Sequence, residues 1–277
     1  MLSETIDAPG LLPDGAVGID AGLTLTKTVH ATGRALACGA RLTDPGDAVG
    51  SAWPDRYASI GLTGARAARL DAPEGAILIP ELEAAARGAS TLLALDGRPP
   101  DQPFLLALLG TGTAFAAIRD GAVTHLGGTA LGGGSFAGIA RRLAPALSHA
   151  DLIATAARGD RRHVDTMVAD AYPEGIGRVS AELTAAHLAS AERGTLDDVL
   201  AALLNLHGEN IGQIAASRAR MAGVSRIVLC GGFVYRNPLL TASVASMCAL
   251  FGAPAEAAPH AAWAGAVGAT LLAVPAE

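Results

Sequence analysis

Four glycine-rich stretches, each placed where an apolar run ends, hold the residues best suited to handling a phosphorylated ligand. The first is Asp20-Ala21-Gly22-Leu23-Thr24-Leu25-Thr26-Lys27. Asp20, at a strand end, can hold a metal ion or its waters, Gly22 lets backbone approach a phosphate, and Thr24 and Lys27 can supply donors. A glycine turn in a hairpin with a solvated lysine explains the same residues about as well. The second, Leu109-Gly110-Thr111-Gly112-Thr113, offers two hydroxyls and adaptable N–H groups, or simply a tight turn between strand-forming threonines. The third, Gly127 to Ser135 with Gly132-Gly133-Gly134 at its end, runs into a helix whose first N–H groups lack partners and can bind an anion. The fourth, Cys230-Gly231-Gly232-Phe233, follows a buried strand and could flank a nucleotide base, although alone it is a common strand-to-helix turn. Neither a Gly-x4-Gly-Lys-Ser/Thr loop nor a Gly-x-Gly-x-x-Gly after the first strand is present.

The elements that must position these bends follow the same plan twice. Residues 16–20, 24–30 and 34–42 read as strands, and so do 104–109, 114–118 and the segment after the hairpin signal Asp120-Gly121. From loop glycine to turn glycine is 11 residues in both units, Gly22 to Gly33 and Gly110 to Gly121. The repetition predicts two similar halves with a nucleotide held between them. Residues 58–63, 76–79 and 226–229 complete the strands, and helices are expected over 82–95, 135–147, 151–157, 161–171, 196–222, 238–251 and 262–273. Residues 1–15, polar and rich in Pro and Gly, read as a loose leader. The Gly97-Arg98-Pro99-Pro100 break divides an N-terminal lobe, 16–100, from a C-terminal lobe, 101–277.

Composition narrows the function classes. With 51% hydrophobic residues and a mean hydropathy of +0.37, the 277 residues can bury a substantial core. The net charge of -6 and the scattered Lys and Arg give no footprint for nucleic acid. The three cysteines, Cys38, Cys230 and Cys248, lack the close pairs of a zinc site or a disulfide framework and fit a reducing cytosol. Glu4, Asp7 and early prolines stand where a signal peptide would be basic and then apolar. No run approaches the roughly 20 apolar residues of a membrane span.

Taken together, the first three bends resemble the type II pantothenate kinases in order and spacing. Pro80-Glu81-Leu82-Glu83-Ala84-Ala85-Ala86-Arg87-Gly88, Ala157-Arg158-Gly159-Asp160 and Trp263-Ala264-Gly265-Ala266-Val267-Gly268-Ala269 extend the resemblance over nearly the whole chain from about residue 16. The resemblance implies an α/β actin-like ATPase fold (ribonuclease H-like), with mixed sheets in two similar lobes around an interlobe nucleotide cleft. It implies a cytoplasmic homodimer that phosphorylates pantothenate with ATP and Mg2+ in the first step of coenzyme A synthesis, with coenzyme A or an acyl-coenzyme A as a feedback ligand. By position, the Asp20–Lys27 segment (Asp20, Gly22, Thr24, Lys27) would hold phosphates and metal. Gly110, Thr111, Gly112, Thr113, Gly132, Gly133, Gly134 and Ser135 would line the nucleotide, with Gly231 and Gly232 near the adenosine.

Glu81 falls on the family's catalytic carboxylate. Its residue type suits that role, since a carboxylate in a partly desolvated cleft gains basicity toward an alcohol, and phosphoryl transfer asks little more of a base. Capping the helix after Pro80 is the competing role, and Glu83 reads as a helix-face charge. Three positions depart from the family: Leu23 replaces a glycine, Ala114 a serine, and His125 an arginine that contacts the acid substrate. A histidine lacks arginine's two-pronged donor geometry for a carboxylate, so Arg141 or Arg119 would have to compensate. Two further readings follow, a related kinase with a different hydroxylated acceptor, and a nucleotide- or coenzyme A-binding regulator without catalysis.

Overall fold

The computed structural model describes residues 2–43, 56–177 and 179–275. The chain runs β1 (Leu2–Asp7), β2 (Ala16–Ala21), β3 (Leu25–Ala31), β4 (Ala35–Leu42), β5 (Ser59–Thr63), β6 (Ile77–Leu78) and α1 (Glu81–Leu95). It continues with β7 (Phe104–Leu109), β8 (Thr113–Arg119), β9 (Ala122–Thr129), α2 (Gly133–Leu143), α3 (His149–Ala156), β10 (Thr166–Met167) and β11 (Thr184–Ala186). The long α4 (Leu196–Ala222) leads into β12 (Ile227–Cys230), α5 (Pro238–Leu250), β13 (Ala255–Ala257) and α6 (Ala264–Ala273).

The expected repetition is present in the strand orders. The first sheet runs β1-β4-β3-β2-β5-β6 and the second β13-β12-β7-β8-β9. Leaving β1 aside, each is an antiparallel three-strand meander whose first strand, β2 or β7, is continued by two parallel strands. The Asp120-Gly121 turn takes positive φ at both residues, 49° and 79°, the twist that a two-residue hairpin needs.

The last helix returns to the first sheet. Glycines allow it: a Cβ on Gly18 of β2 would lie 2.1 Å from the Ala266 carbonyl, and one on Gly61 of β5 would lie 2.0 Å from that of Ala269. On its other side α6 crosses α1 through Gly88 and Gly268, where added Cβ atoms would meet the Ala264 and Ala84 carbonyls at 1.9 and 1.7 Å. Backbone therefore packs on backbone, and the start of α6 is brought over the end of β2.

Two expectations are corrected. Residues 2–7 form β1, paired in register with β4, and are not a loose leader; Ile6, Ala8 and Leu12 are buried, and Glu4 accepts a 2.6 Å hydrogen bond from the Trp263 indole. Residues 161–171 form short turns around β10, not a helix. Asp160, Asp165 and Asp170 accept hydrogen bonds from the backbone N–H groups of Arg162, Leu188 and Met167, offering the chain partners that compete with a helical ladder. The short strands β11 and β13 have no sequence signal of their own. Among the described residues, no helix is long and apolar enough to cross a membrane.

Candidate active site

The β2–β3 hairpin sets Asp20 opposite Lys27, and their side chains meet at 2.6 Å (Nζ to Oδ2) with both residues buried. Lys27, expected to donate to phosphate, engages Asp20 here. Asp20 also faces two glycines that lie outside the four bends. Cβ atoms on Gly64, after β5, and on Gly265, in the first turn of α6, would come within 2.6 and 3.0 Å of its carboxylate oxygens. Gly64 follows Thr63 at a strand end and takes φ +93°, the same strand-then-glycine signal that marked the other bends.

The four bends form one connected cluster, in which the second and fourth each touch the other three. Across the lobes, Thr24 Oγ1 lies 2.9 Å from Thr111 Oγ1. A Cβ on Gly231 would stand 2.3 Å from the Leu109 carbonyl, and one on Gly232 would meet Leu25 and Lys27 side chains at 3.4 and 3.6 Å. Thr113 is buried and donates to the Leu131 carbonyl at 2.8 Å.

The third bend corrects the expectation of open helix amides. Gly133 N–H donates to Gly110 O at 2.8 Å, Gly134 N–H to Thr111 O at 2.9 Å, and Gly132 N–H to Ser135 Oγ at 3.1 Å. The Gly133 and Gly134 amides fasten the third bend to the second. The glycines are explained by that packing: Cβ atoms on Gly132 and Gly134 would stand 2.7 and 2.5 Å from atoms of residues 111–112.

Glu81 is the first residue of α1, after Pro80, and faces solvent at the rim of this cluster. Its carboxyl pKa is raised, first by desolvation from the protein packed around it and then by the negative charge of Asp20, with Lys27 opposing. Glu81 thus shares an electrostatic neighbourhood with the Asp20–Lys27 pair. Ala114 sits half-buried in β8 opposite Gly128, and His125 is exposed on β9 opposite Ala116, beside a bulge. Arg141 is exposed on α2; burial first, and the Arg141 charge second, push the His149 imidazole below its ordinary pKa. Among the described residues neither His125 nor Arg141 makes a hydrogen bond or ion pair with the four bends. Arg119 donates from Nη2 to the Ala222 and Gly223 carbonyls at the end of α4.

The donor set suits a hard cation. Asp20, Thr24 and Thr111 offer oxygen, the ligand type magnesium takes, and the Cys230 thiol is buried and pushed up to about 12. Among the described residues no group of three or more His, Cys, Asp and Glu side chains is placed to hold a metal ion.

A family model described as Fumble matches residues 96–272. The chain belongs to the Fumble family. Among its relatives, a type II pantothenate kinase from Oceanobacillus iheyensis is 34% identical over 186 residues, covering 65% of this chain and 69% of that protein. One from Staphylococcus saprophyticus is 29% identical over 266 residues, covering 92% of this chain and 99% of the relative. Solved structures agree with this Fumble protein in fold alone. The activator of the 2-hydroxyisocaproyl-CoA dehydratase from Clostridium difficile, with bound ADPNP, superposes with a TM-score of 0.64 at 16% identity, covering 93% of both chains. A ROK family glucokinase from Streptomyces griseus, in complex with glucose and AMPPNP, gives 0.56 at 16% identity over 93% of this chain and 98% of its own. The twin sheets are those of the actin-like ATPase fold.

Proposed function

We propose that this Fumble protein is an ATP-dependent pantothenate kinase, transferring the γ-phosphoryl group of ATP to the pantothenate hydroxyl to give 4'-phosphopantothenate. The observation that carries the reading is the 2.9 Å meeting of Thr24 and Thr111, which joins the phosphate-type bends of both lobes beside Asp20, Lys27 and Glu81. Thr24, Thr111 and the flanking backbone would position the phosphates, and Lys27 would offset their negative charge. Asp20 with the threonine hydroxyls would hold Mg2+, which when bound neutralises charge on the phosphate oxygens. Gly231 and Gly232 would flank the adenosine. Glu81, with its raised pKa, would accept the hydroxyl proton as the new P–O bond forms and the bond to ADP breaks.

The family supports a cytoplasmic homodimer with a coenzyme A-type feedback ligand, and these belong to the proposal. One observation favours a second reading, a kinase for another hydroxylated metabolite. His125 stands exposed where the family carries its acid-binding arginine, and Arg119 turns its Nη2 to the end of α4. ATP consumption measured against pantothenate, pantetheine and a panel of hydroxylated metabolites tests both: turnover of pantothenate supports the first reading, and turnover of another acceptor alone supports the second. A chain that binds nucleotide and turns over nothing would be the non-catalytic regulator.

A further inference from the structure

His207 is fully buried in α4, outside the bends themselves, yet it touches two of them. Its Nδ1 lies 2.8 Å from the Leu203 carbonyl one turn earlier. A carbonyl can only accept, so Nδ1 carries the ring proton and Nε2 is left as a bare acceptor. Nε2 stands 2.8 Å from Ser135 Oγ, so the serine hydroxyl donates to it. With its hydrogen directed to the ring, Ser135 presents a lone pair to the Gly132 N–H at 3.1 Å. That fixes the turn whose next two amides, from Gly133 and Gly134, fasten to the second bend. The ring is also met edge-on by Phe136, centroid distance 6.1 Å, and by Phe233 of the fourth bend at 5.9 Å.

We propose that His207 is the positioning residue of the nucleotide site: through Ser135 and Phe233 it sets the third and fourth bends in register with the second. The inference rests on the reading that these bends hold ATP. Burial lowers the pKa of His207, which keeps Nε2 an acceptor through the neutral range. Without the ring acceptor, the Ser135 hydroxyl has a second partner 3.1 Å away, the Gly132 carbonyl, and the bend gains an alternative arrangement.

The experiment compares the wild-type chain with His207→Leu, His207→Gln, Ser135→Ala and Ser135→Ala/His207→Leu. Direct ATP binding is measured by calorimetry, the KM for ATP and kcat by ADP release, and stability by thermal melting. Leu fills the space without an acceptor, whereas the Gln amide oxygen can take the serine hydroxyl. Loss of one buried hydrogen bond predicts about tenfold weaker ATP binding for His207→Leu, with the acceptor KM unchanged. His207→Gln should recover most of that loss, and the double variant should be no worse than the weaker single one. Equal ATP affinity in all variants, with only melting points changed, overturns the proposal while leaving the kinase reading intact. So do Leu and Gln variants that are equally impaired. A wild-type chain that binds no ATP overturns both.

Discussion

Replacing Gly132 by alanine tests whether loop-on-loop packing, not backbone flexibility, is what the triple glycine provides. Gly132 has φ 176° and ψ -166°, an extended conformation that alanine adopts without strain. The added Cβ, however, would lie 2.7 Å from Gly112 Cα and from the Thr111 carbonyl, against 3.4 Å for ordinary contact, so the second and third bends must part by about 0.7 Å. Overpacking of that size costs about 1–3 kcal/mol, and a displacement near 1 Å at a reacting site costs up to roughly 100-fold in rate. Gly138 is the internal control: it lies on the same helix with nothing within 4 Å of its Cβ position. Alanine there should stabilise by about 0.5–1 kcal/mol through helix propensity alone. The assay pairs thermal melting with kcat/KM for ATP. Gly132→Ala should melt several degrees lower and lose about 10- to 100-fold in kcat/KM, and Gly138→Ala should melt slightly higher with activity unchanged. Wild-type melting and kinetics for Gly132→Ala would refute the reasoning, and so would equal damage from both substitutions.

Glu81→Gln should lower kcat by about 100-fold or more with little change in the KM for ATP, because it removes the proton acceptor and leaves the phosphate bends alone; steady-state kinetics with the accepted alcohol decides. Since the Glu81 pKa is raised above its ordinary 4.5 and the base must be ionised, activity should fall with decreasing pH along a limb that starts higher than an ordinary carboxylate would give. A pH–rate profile of kcat/KM shows it, and a limb at or below 4.5 would contradict the assignment. Gly88→Ala and Gly268→Ala should each destabilise more than any surface change, since the new methyl would meet backbone at 1.9 and 1.7 Å; urea unfolding reads the loss, expected at about 3 kcal/mol or more. Ile6→Ala should cost about 2–4 kcal/mol in the same measurement if β1 is part of the folded core, and nothing if the N-terminal segment is loose.

Much of this protein is written locally in its sequence. The paired hairpins, the 11-residue spacing from Gly22 to Gly33 and Gly110 to Gly121, the helices over 82–95 and 196–222, and the bends at the strand ends depend on turn chemistry and periodicity within a few residues. Glu81 was legible as a helix-opening carboxylate after a proline. What required tertiary structure was every feature whose partner lies far along the chain. The pairing of β1 with β4, the return of α6 to the first sheet over Gly18 and Gly61, and the capture of Arg119 by the end of α4 are of this kind. So is the proton on His207, which follows from one carbonyl and one hydroxyl placed on either side of a buried ring. The Gly133 and Gly134 amides looked open because a helix start leaves its N–H groups without local partners. Only the approach of a second bend, far earlier in the chain, decides that they are engaged.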